Sequence, residues 1–384
     1  MDFELSNEQE LIAQSVAEFA DKEVAPQVEA YDEAEEFPRD LVDKMYDLGL
    51  MGMMVPEDYG GGGTDTVSYA LAMEEINRVD ASLGVIMSVN NSLVCDPILR
   101  FGTEAQKEFY LPKLAQGPWL GAYALTEPWS GSDAGAMRAG AVLEGDEWVL
   151  NGQKIFVTNG WHADVIVTYA KTDPEAPKSQ GISAFIVPAD APGLQKVRKE
   201  KKLGIRASDT TAMAFEDLRI PEANLLGERD RGFGVALATL DGGRIGIASQ
   251  ALGIARGSFE AARDYAQERH QFDQPIAEFQ AIRFKLADMA TEIDAARLLI
   301  HHAADLRDRG KTYTKAASMA KLFASDLAVR ASREAIQIFG GYGYLRDYPV
   351  EKRYRDAKIT ELYEGTSEIQ RLVIARELRR ALPG

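Results

Sequence analysis

A chain of 384 residues, 46% hydrophobic and 27% charged, carries enough apolar material for two or three domains with a shared core, and too much for long disordered tracts. Its formal charge of −17 argues against nucleic acid or an anionic membrane as the main partner, so any anionic ligand would need locally gathered cations. The single cysteine, Cys95, excludes an internal disulfide scaffold and a cysteine metal cluster. The start, Met1-Asp2-Phe3-Glu4-Leu5, enters an acidic amphipathic segment with neither a basic n-region nor an Arg-rich transit pattern, so a cytoplasmic location is expected.

Apolar residues such as Leu11, Ile12, Val16 and Phe19 recur at three- and four-residue intervals, predicting helix over about 7–31, and the same period returns over 39–48. The glycine run 60–63 is expected to be a flexible loop, and it lacks the Lys and Ser/Thr of a phosphate-binding P-loop. Helices follow at about 64–78, 81–100 and 103–114, with Gly102 and Pro112 as stops. From Trp119 β-branched and aromatic residues come in short runs, predicting strands. Residues 148–150 and 155–157 flank Asn151-Gly152 as a hairpin; 165–170, 182–187, 203–206 and 212–218 continue the β pattern. Helical period resumes at about 232–268, 277–308, 313–338, 350–357 and 367–381, long enough for a bundle. The most apolar window, 233–254, is broken by Asp241, Arg244 and several glycines, which suits a buried helix better than a membrane span. The expected class is α+β, mainly α: an N-terminal helical domain at 1–118, a middle antiparallel β domain at 119–231 and a C-terminal long-helix bundle at 232–384.

Metal chemistry has little support, because the four histidines, His162, His270, His301 and His302, show no ligand spacing; His301 and His302 read as surface residues late in a helix. Gly131-Ser132-Asp133 is no nucleophile elbow, and no dinucleotide fingerprint follows a strand. Two stretches remain. Tyr123-Ala124-Leu125-Thr126-Glu127-Pro128-Trp129-Ser130-Gly131-Ser132-Asp133 gathers hydroxyls, amides and a Gly turn at a strand exit, a set able to hydrogen-bond a polar heterocycle. Far downstream, Glu364-Gly365-Thr366-Ser367-Glu368-Ile369-Gln370 sets a carboxylate on a turn before a helix, with Ser367 and Gln370 at capping-box spacing. Glu364 then projects from a turn where Gly365 permits close backbone approach, a position suited to a general base or to an ordinary acidic residue at a helix N-terminus.

Together these stretches resemble the flavin-binding segment and the catalytic glutamate of the acyl-CoA dehydrogenases. The resemblance extends over the whole chain and is strongest to short-chain (butyryl-CoA) members. It implies FAD as cofactor, held by Tyr123, Leu125, Thr126, Gly131, Ser132, Phe156, Val157, Thr158, Thr366 and Glu368. From a neighbouring subunit it implies Arg269, Phe272, Gln280, Gln337, Gly340 and Gly341, with Arg269 meeting the diphosphate. Ser132, Asp241, Arg244 and Gly365 are the implied acyl-CoA contacts; for Arg244 a structural ion pair is an equal reading. Glu364 is the implied base, since Gly243 stands where isovaleryl and long-chain members place their glutamate. Its N–H and an FAD hydroxyl would hold the thioester oxygen. Residues 85–91 would close the acyl end, with plain core packing an equal reading, and Tyr363 would wall the pocket. Further implications are a homotetramer and an electron-transfer flavoprotein as acceptor. An acyl-CoA oxidase, a branched or other acyl specificity, and a non-catalytic scaffold are the alternatives.

Overall fold

The computed structural model describes residues 4–380, so residues 1–3 of the acidic start and residue 381 of the last expected helix lie outside the described residues. The N-terminal part is helical: α1 Asn7–Phe19, α2 Val28–Ala34, α3 Arg39–Asp47, α4 Thr66–Val79, α5 Ala81–Ser88, α6 Asp96–Phe101 and α7 Glu104–Gln116. Ser6 and Gln9 form a reciprocal capping box that starts α1. A π turn, Val89–Cys95, joins α5 to α6 where Asn90 and Asn91 turn their side chains to the carbonyls of Met51, Leu114 and Leu50. Pro112 does not end α7, which runs on to Gln116 and stops at Gly117, with φ of 83°. The glycine run is a loop, but not a loose one: Gly60, Gly62 and Gly63 donate to Glu57, Gly52 and Val55.

The middle part is one sheet of β1 Gly121–Ala124, β2 Gly140–Glu144, β3 Glu147–Thr158, β4 Val165–Lys171, β5 Ile182–Pro188, β6 Leu194–Lys199, β7 Thr210–Pro221 and β8 Leu225–Leu226. Its order is β6-β7-β3-β2-β4-β5-β8, with β1 beside β4. Pairing is antiparallel except where β1 and the start of β2 run parallel to β4. The expected hairpin at Asn151-Gly152 does not form. β3 passes straight through it, and the register against β7 shifts there instead, a bulge in which a Cβ on Gly152 would lie 2.5 Å from that of Ala139. The hairpin turn is at Gly145-Asp146, between β2 and β3. Residues 203–206 are not a strand either: Ile205 has φ of 45° and donates its N–H to Asp356 Oδ1 at 2.5 Å, so a tertiary partner takes the bond that a ladder would need.

The C-terminal part holds α8 Gly232–Glu268, α9 Gln280–Asp308, α10 Thr314–Phe339, α11 Val350–Ala357 and α12 Ser367–Arg380, with β9 His270–Gln271 and β10 Gln274–Pro275 as a short ribbon after α8. Alanines bury the facing sides of α8 and α10, among them Ala248, Ala251, Ala324 and Ala328. One core joins all three parts, from Val85 and Leu93 through Val165 and Val167 to Leu252 and Leu327. Lys352 Nζ adds a buried clamp, 2.7 Å from Asp80 at the start of α5 and 2.6 Å from Asp356. Among the described residues one stretch, Ala81–Phe101, is long and apolar enough to cross a membrane, and it is almost wholly buried in this core. Window 233–254 lies within α8, as a buried helix should.

Candidate active site

A cavity of about 1120 Å³ opens where the three parts meet. Val85, Val89 and Leu93 come to it from the α5–α6 helix, Tyr123, Leu125, Thr126, Gly131 and Ser132 from the exit of β1, and Phe156 and Thr158 from β3. Asp241, Arg244, Tyr363, Glu364, Gly365 and Thr366 come from the C-terminal part. Eight basic side chains line it (Lys178, Lys201, Lys202, Arg244, Arg355, Lys358, Arg376 and Arg380) against five acidic ones (Asp133, Glu200, Asp241, Glu364 and Glu377). In a chain of net charge −17 this local excess of cations favours an anionic ligand.

The wall after β1 is built from behind. Glu127 and Ser130 exchange main-chain bonds at 3.0 Å across Pro128-Trp129, closing a tight turn. The Glu127 carboxylate is buried and accepts from Arg138 N at 2.6 Å, Ala139 N at 3.0 Å and Lys154 Nζ at 2.9 Å. Lys154, with no exposed surface, also donates to Leu125 O at 3.0 Å, while Ile155 N donates to Thr126 O at 2.9 Å. Leu125 and Thr126 are thereby held to β3. A second register shift, between Lys154 and Val157, puts Phe156 at φ of 59° and leaves its ring 62% exposed in the cavity wall. Val157, its neighbour, points the other way into the sheet core.

Glu364 sits opposite on a left-handed turn, with φ of 51° followed by 93° at Gly365. A non-glycine residue in this region carries strain of about 1–3 kcal/mol, so the surroundings must impose it. They do so through Gln370, whose Nε2 donates to Glu364 O at 3.2 Å and Gly365 O at 2.9 Å, and Lys321, whose Nζ donates to Gly365 O at 2.9 Å. The cap of α12 is Thr366, whose Oγ1 accepts from Ile369 N at 3.3 Å, and not Ser367 as the spacing suggested; Gln370 is drawn to the turn instead. Glu364 Oε2 is shut off from solvent and has no hydrogen-bond partner. Burial therefore raises its pKa to about 7, against the opposing pull of Lys321 and Arg244. Arg244 is itself buried, bonded to Asp241, whose other oxygen accepts from Thr314 Oγ1 at 2.6 Å, yet its Nε stays unpartnered at the cavity. The structural ion pair expected of Arg244 is present, and its Nε is a donor to spare.

The remaining predicted residues lie elsewhere. Arg269, Gly340 and Gly341 line a separate cavity of about 400 Å³, with the Arg269 guanidinium 5.5 Å from the centre of the Tyr342 ring. The two cavities have no lining residue in common. Phe272 stands 86% exposed on the β9–β10 turn, and Gln280 and Gln337 are exposed. Glu368 is exposed in the first turn of α12, bonded to Thr366 and not turned to the large cavity. His302 is exposed as expected, but His301 is half-buried.

Three family models together match nearly the whole chain: "Acyl-CoA dehydrogenase, N-terminal domain" at 6–118, "middle domain" at 122–218 and "C-terminal domain" at 230–379. The chain belongs to the acyl-CoA dehydrogenase family. A mitochondrial short-chain specific acyl-CoA dehydrogenase of Rattus norvegicus is 52% identical, over 98% of this chain and 92% of the relative. The solved butyryl-CoA dehydrogenase of Megasphaera elsdenii superposes with a TM-score of 0.97 at 45% identity, over 99% of this chain and 100% of that one. A chain in the structure of the electron transferring flavoprotein of Acidaminococcus fermentans, a study of flavin-based electron bifurcation, gives 0.98 at 50% identity, over 99% and 100%.

Acyl-CoA dehydrogenases are FAD enzymes, and the residues present fit that group. The cavity is large, it exposes an apolar ring at Phe156 beside the main chain of Leu125 and Thr126, and it keeps buried polar atoms of Glu364 and Arg244 without protein partners. Within this acyl-CoA dehydrogenase Gly243 has a steric reason. A Cβ there would lie 2.1 Å from Glu364 Oε2 and 2.9 Å from Leu93 Cδ2. Gly243→Ala is thus expected to displace the carboxylate and cut turnover at least about tenfold with FAD content kept; turnover within a factor of two of wild type would show that the carboxylate moves aside freely. Sequence reasoning missed Glu127, Lys154, Lys321 and the Gln370 contacts. For the lysines a signal existed, a charge amid strand or alanine-rich helix positions, but its partner lay far along the chain.

Proposed function

We propose that this acyl-CoA dehydrogenase oxidises a short-chain acyl-CoA thioester to its trans-2-enoyl-CoA, with Glu364 as the base that removes the α-proton. The observation that carries the reading is Glu364, half-buried on the cavity wall with its Oε2 shut off from solvent and without a hydrogen-bond partner, so that burial pushes its pKa up to about 7. An α-proton of a saturated thioester is a poor acid, so it calls for a base poised near working pH and for donors at the developing enolate oxygen. The Glu364 N–H, on the same turn, is the donor for that oxygen. The α C–H proton goes to Glu364, the Cβ–H pair leaves as hydride, and a Cα=Cβ bond forms. Bound FAD, held by Leu125, Thr126, Ser132, Phe156 and Thr158, supplies the hydride acceptor.

Arg244 and Asp241 orient the thioester end, and the cationic rim takes the phosphates of CoA. Val85, Val89 and Leu93 wall the acyl end with bulky side chains, which together with the short-chain and butyryl-CoA relatives supports a short acyl group. The separate placement of Arg269, Gly340 and Gly341 supports their serving the FAD of a second copy, hence a homo-oligomer, with a homotetramer proposed. An electron-transfer flavoprotein is the proposed acceptor, supported by the similar chain from Acidaminococcus fermentans. The proposed domains are 1–118, 119–231 and 232–384, and the proposed location is cytoplasmic.

The test is anaerobic addition of butyryl-CoA to the FAD-loaded protein while the visible spectrum is recorded. Bleaching of the flavin band is expected, and a band that no acyl-CoA in a chain-length series bleaches would remove the substrate class. The pH dependence has a definite sign. Glu364 must be ionised to act, so the bleaching rate should fall about tenfold per pH unit below about 7 and level off above it. A rate flat from pH 5 upward would point to a carboxylate of ordinary pKa.

A further inference from the structure

Lys321 lies in mid-α10, in step with the buried stripe of Ala317, Ala324 and Ala328, and has no exposed surface. Burying an ammonium costs several kcal/mol unless it is well paired. Among the described residues Lys321 makes no ion pair within 4 Å; its hydrogen bond goes to a neutral group, the Gly365 carbonyl at 2.9 Å. That carbonyl belongs to the turn that carries Glu364 at positive φ, and Gln370 grips the same oxygen from α12. A buried cation is thus bonded to the turn that carries the base.

We propose that Lys321 is a positioning residue for Glu364: its ammonium pins the strained Glu364–Gly365 turn through the Gly365 carbonyl and supplies the positive charge that keeps the carboxylate ionised in a dry pocket. The inference rests on the reading of Glu364 as base. The groups around Glu364 support it. Two cations act on the carboxylate, Lys321 from α10 more strongly and Arg244 from α8 less so. Tyr123 from β1, Tyr69 from α4 and the adjacent Tyr363 also face it, and burial keeps all three neutral. Arg244 is already bonded to Asp241, which leaves Lys321 as the cation not neutralised by an acid of its own. Lys321 in turn feels Glu364 first, then Arg244, Glu361 and Asp326; burial brings its pKa down to about 8, so it remains mostly charged while Glu364 titrates near 7.

The test follows Glu364 directly, by infrared titration of the substrate-free holoenzyme taken as wild type minus Glu364→Gln. Lys321→Met is expected to raise the Glu364 midpoint by roughly one pH unit, and Lys321→Arg to restore it. The midpoint of the anaerobic bleaching rate should move upward with it, and below that midpoint Lys321→Met should be about tenfold slower than wild type. Should the methionine variant fail to fold, Lys321→Gln removes the same charge while keeping an N–H donor, and the same upward shift is expected. A neutral variant that loses rate equally at every pH with an unmoved midpoint would reduce Lys321 to a structural role and overturn the proposal. If wild type bleaches and Glu364→Gln does not, that unmoved midpoint counts against Lys321 alone. A Glu364→Gln enzyme bleaching at the wild-type rate removes the base, and the role of Lys321 with it.

Discussion

Glu364→Gln is expected to keep its FAD and to slow anaerobic bleaching by butyryl-CoA by at least about a hundredfold. General-base catalysis contributes roughly 10²–10⁴-fold, and glutamine keeps the shape of the side chain while removing its basicity. The turn should survive, because it is held through main-chain carbonyls of Glu364 and Gly365 by Gln370 and Lys321, none of which contacts the carboxylate. Removing a buried charge without a hydrogen-bond partner should also stabilise the fold slightly at neutral pH and above. Above its folded pKa of about 7 the carboxylate is ionised in a poorly solvated place, whereas in the unfolded chain it ionises near 4.5. The group therefore costs stability as pH rises from 4.5 towards 7, and the variant is relieved of that cost. Wild-type bleaching by Glu364→Gln would leave the chemistry to another residue.

Glu127→Gln is expected to lose about 3–5 kcal/mol of stability and most of its FAD. The carboxylate takes three hydrogen bonds, from Arg138 N, Ala139 N and Lys154 Nζ, in a place with no exposed surface. An amide can accept only on its oxygen, so its NH2 would confront a main-chain donor, Arg138 N or Ala139 N, and Lys154 would be left as a buried cation without a counter-charge. The turn after β1 would then lose the charge that anchors Lys154 behind it, and the placement of Leu125 and Thr126 in the cavity wall would loosen. Thermal unfolding with flavin release followed in parallel tests this. A melting temperature within about one degree of wild type, with FAD retained, would mean that the pair contributes little.

What could be read along the chain was whatever depends on near neighbours. The long C-terminal helices fell within a few residues of 232–268, 277–308, 313–338 and 367–381 because an apolar period of 3.6 is a local pattern that burial then rewards. The strands 165–170 and 182–187 were legible for a similar reason, as mainly apolar runs, broken only by Thr168 and Ser183, that are buried on both faces. Charge and cysteine count likewise bounded the ligand chemistry. Glu364 and the segment after β1 stood out by residue type and order, and their meeting at one cavity needed the fold.

Other features were decided by partners distant in sequence. Asn151-Gly152 has hairpin chemistry, yet the ladder to β7 carries β3 through it as a bulge, and the turn forms at Gly145-Asp146. Residues 203–206 look like a strand, but Asp356, some 150 residues on, takes the N–H of Ile205. The capping spacing of Ser367 and Gln370 was overruled because the Gln370 amide is recruited to the carbonyls beneath the base. Lys154 and Lys321 find their partners only when β3 meets Glu127 and α10 meets the Glu364 turn. Periodicity and residue type belong to the chain itself; which buried polar group finds which partner is settled only when the three parts close on one another, since the cost of leaving such a group unpaired exists only in the packed interior.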